Sequence, residues 1–290
     1  MEESIMTQYV LWREKLKFFD LFAGIGGFRL GMERAGHECI GSCEWDKHAR
    51  ETYKKNFGSY PEYNDVKDLH PQSLPYFDVL CAGFPCQAFS HAGKRRGFED
   101  TRGTIFFEII RIARERKPRY LFLENVKGLL HHDKRRTFRT ILASLDELGY
   151  DAEWRVFNSK EFTGQNRERV FIVAHLRGER TRQVFTIREN NTQIRKPQQT
   201  EPQAISVENT KANGRRIKPP GFPSFTLSRN CGIGVKINNV YRYFTVKECE
   251  RLQGLPDNWT IGSDTQRKNQ IGNAVTVDVV EYIAKELRLG

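Results

Sequence analysis

A cysteine held between a proline and a glutamine, Pro85-Cys86-Gln87, stands in the run Gly83-Phe84-Pro85-Cys86-Gln87-Ala88-Phe89-Ser90, directly after the apolar stretch Phe77 to Ala82. That stretch reads as a buried strand, and open parallel sheets place their ligands beyond the carboxyl ends of their strands. A lone cysteine is most often an inert core residue. Here a rigid proline before it and a polar side chain after it could present a thiolate as a nucleophile. A second strand, Tyr120 to Glu124, runs into Leu123-Glu124-Asn125-Val126 and puts a carboxyl at the same rim. Such a glutamate can simply cap the following helix. Paired with Cys86, it suits the other half of a covalent addition, in which a carboxylic acid with a raised pKa protonates, or strongly hydrogen-bonds, a ring nitrogen while the thiolate attacks a ring carbon.

Other constellations point to what would react there. The first strand, Lys17 to Phe22, enters Asp20-Leu21-Phe22-Ala23-Gly24-Ile25-Gly26-Gly27-Phe28, where closely spaced glycines let the backbone turn tightly and approach a ligand. The order Gly-x-Gly-Gly is not the dinucleotide Gly-x-Gly-x-x-Gly pattern. Glu44, at the end of the next strand, can take both hydroxyls of a ribose, and Trp45 beside it can stack on adenine. Asp65 with Val66 could grip the adenine edge, although an aspartate in a loop is commonly a turn former. In Gln165-Asn166-Arg167-Glu168-Arg169, leading into the strand Val170 to His175, alternation puts Gln165, Arg167 and Arg169 on one side. Two guanidiniums there can hold an anion or the exocyclic oxygen of a base; the plainer reading is surface ion pairs with neighbours such as Glu168. Gln270-Ile271-Gly272-Asn273-Ala274-Val275 reads as a turn opening the final helix and completing the cofactor pocket.

The elements that must carry these residues alternate. Besides the strands above, Glu38 to Cys43 and Ala152 to Phe157 read as strands, and Arg29 to Ala35, Lys47 to Phe57, Thr104 to Arg116 and Thr137 to Leu148 as helices. This alternation predicts an α/β fold with a mostly parallel sheet covered on both faces. Residues 176 to 240 change character, being rich in Asn, Gln, Thr, Pro and basic side chains with weak periodicity. The helices Thr245 to Gln253 and Val277 to Leu287 close the chain.

Charge follows the same division. The 290 residues carry 47 Lys and Arg against 36 Asp and Glu, and residues 176 to 240 hold twelve of the basic but only four of the acidic ones. Such a run is commonly a solvated face, but the flanking motifs favour a polyanionic partner. Six cysteines without paired metal spacing argue against a disulfide scaffold or a structural metal. No apolar run approaches the roughly 20 residues that span a bilayer, and Met1-Glu2-Glu3-Ser4 lacks a secretion pattern, so a soluble, cytoplasmic protein is expected.

Taken in order, Asp20 to Phe28, Glu44-Trp45, Asp65, Pro85-Cys86-Gln87, Glu124-Asn125-Val126, Gln165-x-Arg167-x-Arg169 and Gly272-Asn273 closely resemble the motifs of the cytosine-5 DNA methyltransferases of bacterial restriction-modification type. The resemblance covers Lys17 to His175 and Tyr241 to the C-terminus. It implies a Rossmann-like S-adenosylmethionine-dependent methyltransferase domain, residues 1–178 and 265–290, with a small target-recognition domain and hinge in 179–264. Cys86 would be the nucleophile on carbon-6 of a cytosine flipped out of double-stranded DNA, Glu124 would act on nitrogen-3, and Arg167, with Arg169 more loosely, would orient the base. The set Phe22, Ile25, Glu44, Trp45, Asp65, Val66, Pro85, Ile105, Asn273 and Val275 would hold S-adenosylmethionine, with no metal. Ser90 to Thr101 would be a mobile loop closing over the base, and the segment around Arg215 to Lys236 would read the sequence. A monomer, and a companion endonuclease acting on the same site, are further implications. Phe162-Thr163-Gly164 replaces the Ile-Pro step expected before Gln165, and the short recognition region implies a brief site. A tRNA-modifying enzyme on the same scaffold is the nearer alternative, although the Cys-Phe-Thr triplet associated with that branch is absent; a non-catalytic DNA-binding homologue is the more distant one.

Overall fold

Neighbouring side chains along a strand leave the sheet on opposite sides, so a sheet covered twice needs strands that are apolar throughout. The central strands meet that requirement except at Asp20 of β1. The computed structural model describes residues 15–85, 105–185, 203–206, 216–217, 223–227, 233–237 and 240–288. In chain order its first part comprises β1 (Lys17–Leu21), α1 (Gly27–Arg34), β2 (Glu38–Cys43), α2 (Lys47–Phe57), β3 (Val79–Gly83), α3 (Ile105–Arg116), β4 (Tyr120–Val126), α4 (Arg136–Glu147), β5 (Tyr150–Asn158) and β6 (Glu168–Leu176). The sheet order is β2-β1-β3-β4-β6-β5. The pairs β1/β2, β1/β3 and β3/β4 are parallel, whereas β6 runs antiparallel to both β4 and β5. The short link from β5 to β6 permits only the reversed direction, because a parallel return needs a long crossover.

One sheet face buries Phe19, Leu21, Leu80, Leu121, Leu123 and Ile172 against α3 and α4; the other buries Phe18, Val79, Tyr120, Phe122, Phe171 and Val173 against α1 and the last helix. That last helix, α7 (Val277–Ala284), follows α5 (Val246–Leu252) and α6 (Asp264–Asn273). It approaches α1 at Gly31, where an added Cβ would lie 2.6 Å from Val280 and 3.0 Å from the Val277 carbonyl. A larger side chain there would force the two helices apart.

A second sheet comprises β7 (Gln203–Ser206), β8 (Arg216–Ile217), β9 (Ile233–Ile237) and β10 (Val240–Tyr243), antiparallel throughout, in the order β10-β9-β7-β8. Beyond it the chain returns to the large sheet's neighbourhood well before residue 265. Val246, Cys249, Leu255 and Trp259 pack with Ile25, Ala49, Ile271 and Val277, and the Trp259 indole N–H donates to the Ile25 carbonyl at 2.9 Å. Residues 246–259 thus pack beside the large sheet, while Glu248 also pairs with Arg242 of β10 at 2.7 Å. Among the described residues no helix is long and apolar enough to cross a membrane.

One expected element differs. Gln270 to Val275 does not open the final helix: Gly272 and Asn273 end α6, Ala274 to Thr276 form the link, and α7 starts at Val277. Helix α6 buries only Gln270, Ile271 and Gly272, too few for an apolar stripe. Its start is nonetheless written in a capping box, Ser263 with Gln266.

Asp20 is fully buried in β1. Its Oδ2 accepts the Arg29 N–H of α1 at 3.2 Å, while Oδ1 has no partner. Burial pushes its pKa up to about 8, against the pull of the Arg29 N–H and guanidinium. A carboxyl with a raised folded-state pKa stabilises the fold fully only below its unfolded value, and that contribution is lost as pH rises through the folded one. Relative to Asp20→Asn, the native protein is therefore expected to lose stability between about pH 4 and about pH 8, by up to ~1.4 kcal/mol per pH unit. Parallel denaturant titrations across that range check this; a pH-independent difference would refute it.

Candidate active site

Parallel β1, β3 and β4 end on one rim, and antiparallel β6 begins there, so four chain segments converge. Beyond β1 the backbone turns sharply: Phe22 (φ 65°), Gly24 (φ 55°) and Gly26 (φ 84°) all lie in the left-handed region. For the glycines this is inexpensive; for an aromatic residue it is a strain of the kind found at ligand sites. Nothing lies within 4 Å of where a Gly24 Cβ would be, so the turn faces open space.

Glu44 holds this turn to the end of β2. Its Oε2 accepts the Gly24 N–H at 2.7 Å and its Oε1 the Asp46 N–H at 2.7 Å. Burial raises its pKa, and the N–H groups of Asp46 and Gly24 oppose that rise. Next to this carboxyl the Trp45 side chain is 78% exposed. The Asp65 Oδ1 accepts the Lys67 N–H at 3.0 Å as the cap of a short turn that buries Val66. Phe22, Val66 and Ile105 join the same apolar cluster. Ile25 is buried in the neighbouring cluster, and Val275 abuts the start of α1, where a Gly27 Cβ would stand 3.0 Å from its Cγ1. Pro85 and Asn273 are exposed. The donor and acceptor set fits an adenosine with a short charged tail. The Glu44 carboxylate stands at the strand end, an indole face is open, and the glycine turn has room beside it.

Glu124, near the end of β4, pairs in register with Gly83 of β3, and its Oε2 lies 3.5 Å from where a Gly83 Cβ would be. The carboxyl thus lies over the strand end from which Pro85-Cys86 departs. Asn125 clasps that exit: its buried Nδ2 donates to the Phe84 carbonyl at 2.8 Å. Sequence reasoning quoted Asn125 without giving it this duty, and only the pairing of β3 with β4 reveals it. Cys86 itself and the loop Ser90 to Thr101 lie outside the described residues, as do Lys211, Arg215, Lys218 and Arg229 of the basic segment.

The two arginines take different partners. Arg169, opposite Val126 in the ladder, sets its Nε 3.1 Å from the Glu124 Oε1, and both side chains are nearly buried. Arg167, 2% exposed, spends its guanidinium on main-chain carbonyls: Nη1 donates to Leu227 at 3.0 Å, and Nη2 to Gly272 at 3.2 Å and Ala274 at 2.9 Å. Burial and the neighbouring Arg169 pull its pKa down, and Glu124 works against them. Gln165 likewise faces protein, donating to the Leu252 carbonyl at 3.2 Å and the Gln253 Oε1 at 3.0 Å, and accepting the Leu227 N–H at 3.2 Å. Alternation holds through the residues before β6: Gln165 and Arg167 are buried on one side, both bonding Leu227, while Asn166 and Glu168 between and after them are exposed. Where an Ile-Pro step was expected, Thr163 bonds the carbonyls of Ser159 and Leu252, and the Gly164 carbonyl accepts the Ser224 N–H at 2.6 Å. Glu168 pairs with Lys127 at 2.9 Å, not with either arginine.

Burial raises the Glu124 pKa; the cations Arg169 and then Arg167 hold it back. A carboxylic acid in such surroundings can both donate a proton and receive it back.

This glycine turn, acidic strand end and sheet order define an S-adenosylmethionine-dependent methyltransferase fold. The family model described as C-5 cytosine-specific DNA methylase matches residues 16–218 and 183–288 in overlapping segments. Type II methyltransferase M.HhaI of Haemophilus parahaemolyticus is 37% identical, with 93% of each chain covered. Type II methyltransferase M.HpaII of Haemophilus parainfluenzae is 39% identical, over 95% of this chain and 90% of its own. A Spodoptera frugiperda DNMT2 structure superposes with a TM-score of 0.69 at 19% identity, covering 92% of this chain and 98% of its own, a likeness of fold alone. The chain belongs to the C-5 cytosine-specific DNA methylase family. It is an enzyme that transfers a methyl group from S-adenosylmethionine to carbon-5 of cytosine in DNA.

Proposed function

We propose that the transfer proceeds through a covalent Cys86 adduct on a cytosine flipped from double-stranded DNA, with Glu124 acting on ring nitrogen-3. The observation that supports this most is the Glu124–Arg169 pair, 3.1 Å apart and nearly buried, set over the strand end that leads to Cys86. Carbon-5 of cytosine is too weak a nucleophile to attack a sulfonium methyl. Addition of the Cys86 thiolate to carbon-6, with a proton or strong hydrogen bond from Glu124 at nitrogen-3, makes the ring an enamine that is nucleophilic at carbon-5. Arg169 fixes the carboxyl and presents N–H groups toward an exocyclic oxygen. Bound S-adenosylmethionine supplies the electrophilic methyl. Loss of the carbon-5 proton to a base then lets the thiol leave. Flipping the base costs a few kcal/mol, met by contacts in the cleft.

Phe22, Ile25, Glu44, Trp45, Asp65, Val66, Pro85, Ile105, Asn273 and Val275 are proposed to line the cofactor site. Glu44 takes the ribose hydroxyls and Trp45 stacks on adenine. Trp45→Ala is expected to raise the KM for S-adenosylmethionine about 10-fold or more, as loss of one stacking face implies, with kcat changed little. An unchanged KM would remove Trp45 from the site.

The second sheet and its flanking basic segment are proposed to read the target, in a monomer acting in the cytoplasm beside an endonuclease of the same specificity. Bisulfite sequencing of a plasmid from cells expressing the protein tests the reading. Protected cytosines at one recurring short sequence are expected, and a plasmid with none would overturn it.

A further inference from the structure

Immediately after β4 the chain makes two tight turns and starts α4, and within nine residues, His131 to Arg139, it carries Lys134, Arg135, Arg136 and Arg139 against one acid, Asp133. Because β4 ends at the catalytic rim and α4 sets out from there, this cationic turn stands on the same rim as Glu124 and outside the second sheet. It is held from below: Leu129 is buried in the core, Phe138 packs edge-on against Trp154 at 5.2 Å between centroids, and Thr137 Oγ1 lies 2.6 Å from the His132 Nδ1. The cations themselves are exposed.

Two features separate this turn from an ordinary solvated surface. Asp133, Lys134 and Arg135 take up left-handed backbone in succession, with φ of 46°, 54° and 70°. None is a glycine, and each such residue costs about 1 kcal/mol, a strain that persists where the surroundings impose it. Further, Asp133 is taken by Arg136, whereas Lys134, Arg135 and Arg139 have no carboxylate partner among the described residues. Arg177, Arg242 and Arg251 are exposed but paired, whereas Arg114, Arg155, Arg180 and Arg182 are exposed without a carboxylate partner among the described residues; what marks the turn is that three such cations fall within the six residues 134–139.

We propose that this turn is a second DNA contact, in which Lys134, Arg135 and Arg139 bind backbone phosphates of the duplex from the catalytic side. The inference rests on the DNA-methylase reading and adds to it a grip that carries no sequence information. Phosphate contacts set register and orientation, while base edges supply specificity. A contact on this rim would hold the duplex while the target nucleotide leaves the stack.

The test compares the native protein with the triple variant Lys134→Gln, Arg135→Gln, Arg139→Gln on a duplex containing the methylated site, measuring the dissociation constant over a range of sodium chloride. Each lost phosphate contact lowers the slope of log K against log salt by about 0.9, so a reduction of about 2 to 3 is expected. The KM for DNA should rise while kcat at saturation stays within about two-fold. A charge-keeping variant, Lys134→Arg with Arg135→Lys and Arg139→Lys, should restore the native slope. Coincident slopes for the native protein and the glutamine variant, with the native protein methylating normally, would overturn the contact and leave the activity standing. A native protein that methylates no DNA would remove both.

Discussion

Cys86→Ser is expected to lower methyl incorporation into duplex DNA by about 10⁴-fold or more, while the dissociation constant for the same duplex moves only a few-fold. A serine hydroxyl at neutral pH is almost entirely protonated and adds poorly to a pyrimidine, so the ring is never raised to the reactivity the transfer needs. Binding draws on phosphate and groove contacts that the sulfur does not make. The two readouts together separate loss of chemistry from loss of fold. Methyl transfer undiminished in the serine variant would dismiss the covalent route.

Glu124→Gln is expected to cost about 10² to 10⁴ in kcat, the range for a positioned proton donor, and to change the shape of the pH profile. Burial raises the Glu124 pKa, and Arg169 and Arg167 oppose it. The form that donates is the protonated one, so the native rate should fall as pH rises through that pKa, and the glutamine variant, with nothing to titrate there, should lack this limb. Arg169→Gln removes the nearer opposing cation, 3.1 Å away. The alkaline limb should then move to higher pH, even as the maximal rate drops. A limb that stays in place in both variants would assign the titration to another group.

Much of this site is legible in the sequence because strand ends are written in local chemistry. The helix Lys47–Phe57 has the bounds its sequence predicts, since Asp46 caps it through the Ala49 N–H and Gly58 ends it at φ 81°. Glu44 and Glu124 could be placed at a rim for the same reason: each follows or ends an apolar strand, and parallel strands share one carboxyl edge. What could not be read depends on contacts between distant segments. That Arg169 and not Arg167 meets Glu124 follows from the register of β6 against β4 and from carbonyls contributed by residues 227, 272 and 274. The Asn125 clasp on Phe84 spans two strands. The strands of the second sheet are short, and β7 pairs antiparallel with β9 across a long sequence gap without an alternating pattern to announce it. Helix α6 was missed for lack of an apolar stripe, although Ser263 and Gln266 spelled out its start.

Convergence of the Cys86 sulfur and the Glu124 carboxyl on one extruded cytosine is tested most directly by a duplex bearing 5-fluorocytosine at the methylated position. After methyl transfer, carbon-5 carries fluorine in place of the proton that must depart, so the thiol cannot leave and the adduct persists. A complex resistant to denaturant, dependent on S-adenosylmethionine and mapping to Cys86 is expected. A protein that methylates the unmodified duplex yet forms no such complex would contradict the covalent mechanism.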